Sequence, residues 1–146
     1  MKTRQFHGIT SLILVMIATL MALVVMVMTS WVLGVIYLAV MVIAPQVVLR
    51  AYCAKCPCQA HCAHIFPGKA AMAFSREPGP YTLLEIGAMM TALGLLMGLP
   101  QYWLWQYPAL FITFWVLSGI AFVQIRAFVC RTCNNVYCPI RVRAQS

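Results

Sequence analysis

The chain has 146 residues, of which 64% are apolar and only twelve are charged, ten basic and two acidic, and its mean hydropathy is +0.90. Soluble domains carry roughly 45 to 50% apolar residues, so this composition excludes a soluble globular protein and indicates an integral membrane protein. The formal net charge of +8 does not indicate nucleic-acid binding, because the basic residues fall only between apolar segments and form no basic face on a soluble body.

In chain order, the first apolar block runs from Gly8 to Leu49 without a charge. As one helix it would be roughly 63 Å long, about twice the ~30 Å hydrocarbon core, so it must fold back on itself. Thr29, Ser30 and Trp31 form its only polar and interfacial break, which predicts helices over 8–28 and 31–49. Lys2 and Arg4 precede the block, as in a signal peptide. The apolar run of about 21 residues is longer than the usual ~7 to 15, and no small-x-small cleavage site follows it. The first segment is therefore read as a transmembrane helix, with His7 solvated or at headgroup level.

Directly after the second helix comes "RAYCAKCPCQAHCAH", residues 50–64, with four cysteines (Cys53, Cys56, Cys58, Cys62) and two histidines (His61, His64). A second apolar block then runs from Tyr81 to Ile125 and is broken at "GLPQYWLWQYP". There Pro100 and Pro108 turn the chain, and Tyr102, Trp103, Trp105 and Tyr107 suit a membrane interface. Helices are predicted over 81–99 and 109–126. Glu85 is the only acidic residue inside an apolar segment. It is a candidate proton or quinone site, or else a carboxylate placed to suit a helix N-terminus. Gly87, Thr91, Gly94 and Gly98 make a stripe of small residues, expected to pack inside the chain. No predicted helix carries a histidine, so a bis-histidine haem between the helices is not expected.

The chain closes with "RAFVCRTCNNVYCP" from Arg126, holding Cys130, Cys133 and Cys138. It echoes the stretch after Arg50: Arg-Ala-aromatic, a C-x-x-C pair, then a further cysteine five or six positions on. Each copy follows the second helix of a hairpin. The sequence thus reads as two parallel repeats, 1–80 and 81–146, each a transmembrane hairpin followed by a cysteine-rich segment. All ten Lys and Arg residues lie before the first helix, between the second and third, or from the end of the fourth onward. The positive-inside rule then places both termini and the central loop in the cytoplasm. Thiols in that reducing compartment are metal ligands or catalytic groups more often than structural disulfides.

Several chemistries suit these thiols. Zinc takes four tetrahedral ligands, which Cys53, Cys56, Cys130 and Cys133 would supply, leaving Cys58, Cys62 and Cys138 unused. An iron–sulfur reading uses more of them. Bacterial ferredoxins space their ligands C-x2-C-x2-C-x3-C-P and send the last cysteine to the other cluster. Here the first run is C-x2-C-x-C-x3-C and the second ends in Cys138-Pro139. One cluster could use Cys53, Cys56, Cys58 and Cys138, and a second Cys62, Cys130 and Cys133 with His61, His64 or an open iron. Copper is a further possibility, because Cys56-Pro57-Cys58 matches the thiolate triplet of copper pumps and Met is a soft ligand.

The segments Tyr52-Cys53-Ala54-Lys55-Cys56-Pro57 and Tyr137-Cys138-Pro139 resemble the Cys-Pro segments of membrane-bound ferredoxin-like quinol dehydrogenases, which also have helix pairs followed by cytoplasmic Cys-Pro motifs. The family spacing is C-x3-C-P, where this chain has C-x2-C-P and C-x4-C-P. The resemblance implies electron transfer between a quinone pool and iron–sulfur clusters, [4Fe–4S] in type. The expectation is an all-α four-helix bundle in the cytoplasmic membrane, serving as an electron-transfer subunit of a larger redox complex rather than an independent enzyme. No Walker, Rossmann or hydrolase motif is present. The competing reading is a zinc-stapled membrane scaffold or assembly protein.

Overall fold

The structure, a computed structural model, describes residues 2–59, 62, 64–74, 76–131, 133 and 135–138. Among these residues every regular element is helical. α1 (Lys2–Thr29) and α2 (Trp31–Ala51) form the first hairpin, and α3 (Ile65–Met72) is a short helix in the central loop. α4 (Leu83–Gly98), the single turn α5 (Gln101–Leu104) and α6 (Pro108–Gln124) follow. The end of α6 widens into a π-helical segment, Ile125–Cys130. Four stretches, Gln5–Thr29, Trp31–Lys55, Leu83–Leu104 and Pro108–Cys130, are long and apolar enough to cross a membrane. At about 1.5 Å per residue they match a ~30 Å core with modest tilt. The chain is a multi-pass four-helix bundle.

Both expected breaks are turns. At the first, the Thr29 hydroxyl donates to Val25 O (2.9 Å) and Ser30 N–H to Met26 O (3.0 Å), closing α1. Ser30 is extended, and Gly34 N–H then donates to Ser30 O (3.0 Å) to start α2. A Cβ on Gly34 would collide with the Val27 side chain and lie 3.1 Å from Val27 Cα. Only glycine lets the helices cross that closely.

The second turn must satisfy the last carbonyls of α4, which have no partner within the helix and little water nearby. Leu99 N–H donates to Leu95 O, the buried Tyr37 hydroxyl from α2 donates to Leu96 O (2.9 Å), and the Gln101 side-chain amide donates to Met97 O. Gln101 Oε1 in turn accepts from the Trp115 indole (3.0 Å). Pro108 opens α6 at its first position, where a missing N–H costs nothing.

The helices are not packed in chain order. α1 and α2 lie side by side in the middle, α6 packs on α1, and α4 packs on α2 rather than on α6. The core gathers Ala18, Ala22, Val25 and Met26 of α1 with Tyr37, Leu104 and Phe114. α4 meets α2 through Ala92 and Leu96 against Ala44. Its buried residues Glu85, Met89, Ala92 and Leu96 lie two positions out of phase with Gly87, Thr91, Gly94 and Gly98, about 200° around the helix. The small-residue stripe therefore faces outward, with nothing within 4 Å of a Cβ built at any of its glycines. The expectation of internal packing there is corrected.

A second correction concerns His7, expected ahead of the first helix but falling inside α1, which begins at Lys2. Its ring stacks on Phe128 at 3.9 Å and 12°. His64 Nδ1 lies 3.0 Å from Gly8 O. These contacts bring the start of α1, the central loop and the end of the fourth span to one end of the bundle.

Candidate functional site

At that end lies a cavity of about 270 Å³ whose walls hold Cys53, Cys56, Cys62, Cys130, Cys133 and Cys138. It joins thiols from both cysteine-rich segments, and all seven cysteines of the chain are half-buried thiols. Val48, Met89, Ile125 and Val129 supply apolar wall, and His64 and Asn135 also line it. Cys58 does not line the cavity. Its backbone N–H instead donates to the Cys56 thiol. His61 and Pro139 lie outside the described residues. Among the described residues, no three His, Cys, Asp or Glu side chains are drawn together tightly enough to enclose one metal ion.

The local backbone explains why thiols at these spacings share one wall. After α2 ends, Cys53–Lys55 forms a single 3₁₀ turn, and Cys56 N–H donates to Cys53 O at 3.1 Å. In the second segment Cys133 N–H donates to Cys130 O at 3.2 Å. Both C-x-x-C pairs are thus closed by the same turn, which puts their two side chains on one side of the chain. Cys62 N–H repeats the pattern on Gln59 O at 3.3 Å.

Gln59 staples the first loop by donating from Nε2 to Cys53 O (3.1 Å) and Ala54 O (2.6 Å), and Arg76 N–H donates to Ala54 O (2.8 Å). Gly68 of α3 rests against this loop. A Cβ there would stand 2.8 Å from Cys62 Cβ and 2.9 Å from Gln59 O, so any larger residue displaces Cys62 from the wall.

Burial pushes the Cys56 thiol up from its ordinary range. The Cys58 N–H opposes this shift, the neighbouring Cys133 and Cys62 add to it, and the Asn135 amide opposes it. Two donors on one sulfur are the arrangement that stabilises a thiolate or a metal-bound sulfur. Burial likewise raises Tyr81.

Glu85 sits in the first turn of α4, in a capping box. Thr82 N–H donates to its Oε2 (2.8 Å), and Glu85 N–H donates to the Thr82 hydroxyl (3.2 Å). Lys55 Nζ approaches Oε2 at 3.0 Å and Arg76 Nη1 approaches Oε1 at 3.2 Å. The carboxylate therefore ties the start of α4 to the cysteine loop.

Tyr52, Tyr81, Gln59, Gly68 and Asn135 were not singled out from the sequence as site residues. Tyr52 stood in the Arg-Ala-aromatic echo, but nothing in the spacing showed that its ring stacks on Tyr81 at 4.4 Å. No family model matches the chain, and neither a curated protein nor a solved structure is similar to it.

Proposed function

We propose that the chain is a membrane subunit whose two cysteine segments together hold an iron–sulfur group and pass electrons between the quinone pool and a redox partner. The observation that carries this reading is the single cavity walled by six thiols from both halves of the chain. A lone zinc ion takes four donors at about 2.3 Å from one point. Six thiols spread around about 270 Å³ suit a polynuclear group with separate metal corners better. The donor set fits in kind as well, since iron–sulfur groups take thiolates and are tuned by hydrogen bonds to sulfur and by burial.

When bound, the group would supply one-electron transfer. The thiols of Cys53, Cys56, Cys62, Cys130, Cys133 and Cys138 are its candidate ligands. The Cys58 N–H and the Asn135 amide donate to the Cys56 sulfur, and Val48, Met89, Ile125 and Val129 keep water from that side of the site. Quinol oxidation releases two electrons and two protons, so two single-electron passages to partner subunits complete each turnover. The positive-inside rule supports a cytoplasmic position for this end of the bundle, in the inner membrane.

Anaerobic purification with iron, acid-labile sulfide and zinc analysis tests the proposal. Iron and sulfide in near-equal amounts, with an electron paramagnetic resonance signal after dithionite reduction, are expected. A colourless protein holding one zinc would replace the redox reading with the zinc-stapled scaffold.

A further inference from the structure

Asn135 is 2% exposed, and its side-chain amide is used at both ends. Nδ2 carries two hydrogens and meets two acceptors, Cys56 Sγ at 3.4 Å and the Tyr81 hydroxyl oxygen at 3.1 Å. Oδ1 accepts the Tyr137 backbone N–H at 3.0 Å. The Oδ1 contact is local and shapes the turn that leads to Cys138. The Nδ2 contacts are distant: they cross from the second cysteine segment to the first and to the entry of α4.

The network continues beyond Asn135. The Tyr81 hydroxyl donates to Tyr52 O at 3.3 Å, the Tyr52 and Tyr81 rings stack, and the Tyr52 hydroxyl is hydrogen-bonded to Cys138 Sγ at 2.8 Å. A closed circuit results. The second segment reaches the first through Asn135, and the first returns to the second through Tyr52, with a cavity thiol at each crossing.

We propose that Asn135 is a positioning residue for the thiol site. Its Nδ2 group latches the second cysteine segment onto Cys56 and Tyr81, and so assembles the six-thiol wall from two separate pieces of chain. The inference rests on the reading that these thiols act as one site, and adds which residue brings them together and through which atom. It also assigns a reason for asparagine rather than aspartate. A carboxylate at 135 would keep the acceptor for Tyr137 N–H but would present an oxygen, in place of two N–H donors, to a sulfur and a phenol.

That difference separates a latch from a turn-former. Full-length Asn135→Asp and Asn135→Ala proteins in their native membranes would be treated with N-ethylmaleimide for timed intervals, and the labelling of each cysteine followed by peptide mass. Both variants are expected to label Cys133 and Cys138 roughly tenfold faster than the unaltered protein, the opening expected from losing a buried hydrogen-bond donor. Cys58, outside the cavity wall, should label at an unchanged rate. Unaltered labelling of Cys133 and Cys138 in Asn135→Asp overturns the latch and leaves Asn135 as a turn residue, whether or not Asn135→Ala is affected. Iron, sulfide and zinc analysis of the same membranes decides the iron–sulfur reading separately, and labelling rates are compared between proteins of equal metal content, because ligation itself slows a thiol's reaction. Where iron is bound, the Asn135→Asp protein should also show a lowered midpoint potential, since donors to sulfur raise it. An unmoved potential with full iron content overturns the contact to Cys56.

Discussion

At the scale of single residues, the thiols divide by position. Cys138 lies 86 positions from Tyr52 yet is hydrogen-bonded to it, so Cys138→Ser should disturb a wall to which both segments contribute. The expected result is a lost or altered electron paramagnetic resonance signal in the reduced protein. Cys58→Ser removes a thiol outside the wall but keeps the backbone N–H that Cys56 accepts, and should leave iron content near the unaltered level. Gly68→Ala pushes against Cys62 Cβ and Gln59 O and should lower metal content without preventing membrane insertion, as read by metal analysis of the purified variant. Tyr37→Phe loses the buried bond to Leu96 O. Hydrogen bonds between membrane helices are modest, so the loss should destabilise the bundle by about 1 kcal/mol in a detergent-unfolding measurement.

At the scale of elements, Glu85 decides how α4 joins the cysteine loop. Glu85→Gln can keep the capping box, since glutamine also serves at that position, but it removes the charge facing Lys55 and Arg76. Iron content should survive, and the loop between Lys55 and Arg76 should become more open to protease. A slowed quinone-linked reduction with an unaltered loop would instead favour a proton or quinone role. The four spans were legible in the sequence because long uncharged runs can be satisfied in lipid only as helices, and because polar or proline-rich breaks interrupt them. The buried face of α4 was not legible. In a soluble helix the apolar side marks the core, but both sides of α4 are apolar, and its glycine stripe turned outward while Ala92 and Leu96 packed on α2. The repeated C-x-x-C pattern marked the two segments that line one cavity, but not that Cys58 stays off its wall. The Asn135, Tyr81 and Tyr52 circuit was not, because its partners stand 29 to 86 positions apart.

At the scale of the whole molecule, the basic residues among those described, from Lys2 and Arg4 through Arg50, Lys55, Lys69 and Arg76 to Arg126 and Arg131, flank the end that carries the thiols, and the turns at Ser30 and Gln106 lie at the other end. Single cysteines placed at Ser30 and Gln106, with the native thiols replaced, should react with an impermeant maleimide from the outer side of intact cells. Labelling of Cys53 or Cys133 from that side would reverse the orientation and reopen a disulfide role. The central position of the α1–α2 hairpin, with α4 and α6 on opposite sides of it, also sets an order in time. Synthesis delivers the middle of the bundle first, and each later helix settles on a surface already made. Cys53, Cys56 and Cys62 then wait at an unroofed wall until Cys130, Cys133 and Cys138 have left the ribosome, so any group that needs both segments is captured at the end of synthesis. Should the site hold iron as proposed, a cell starved of it would accumulate chains with every helix in place and one end still open.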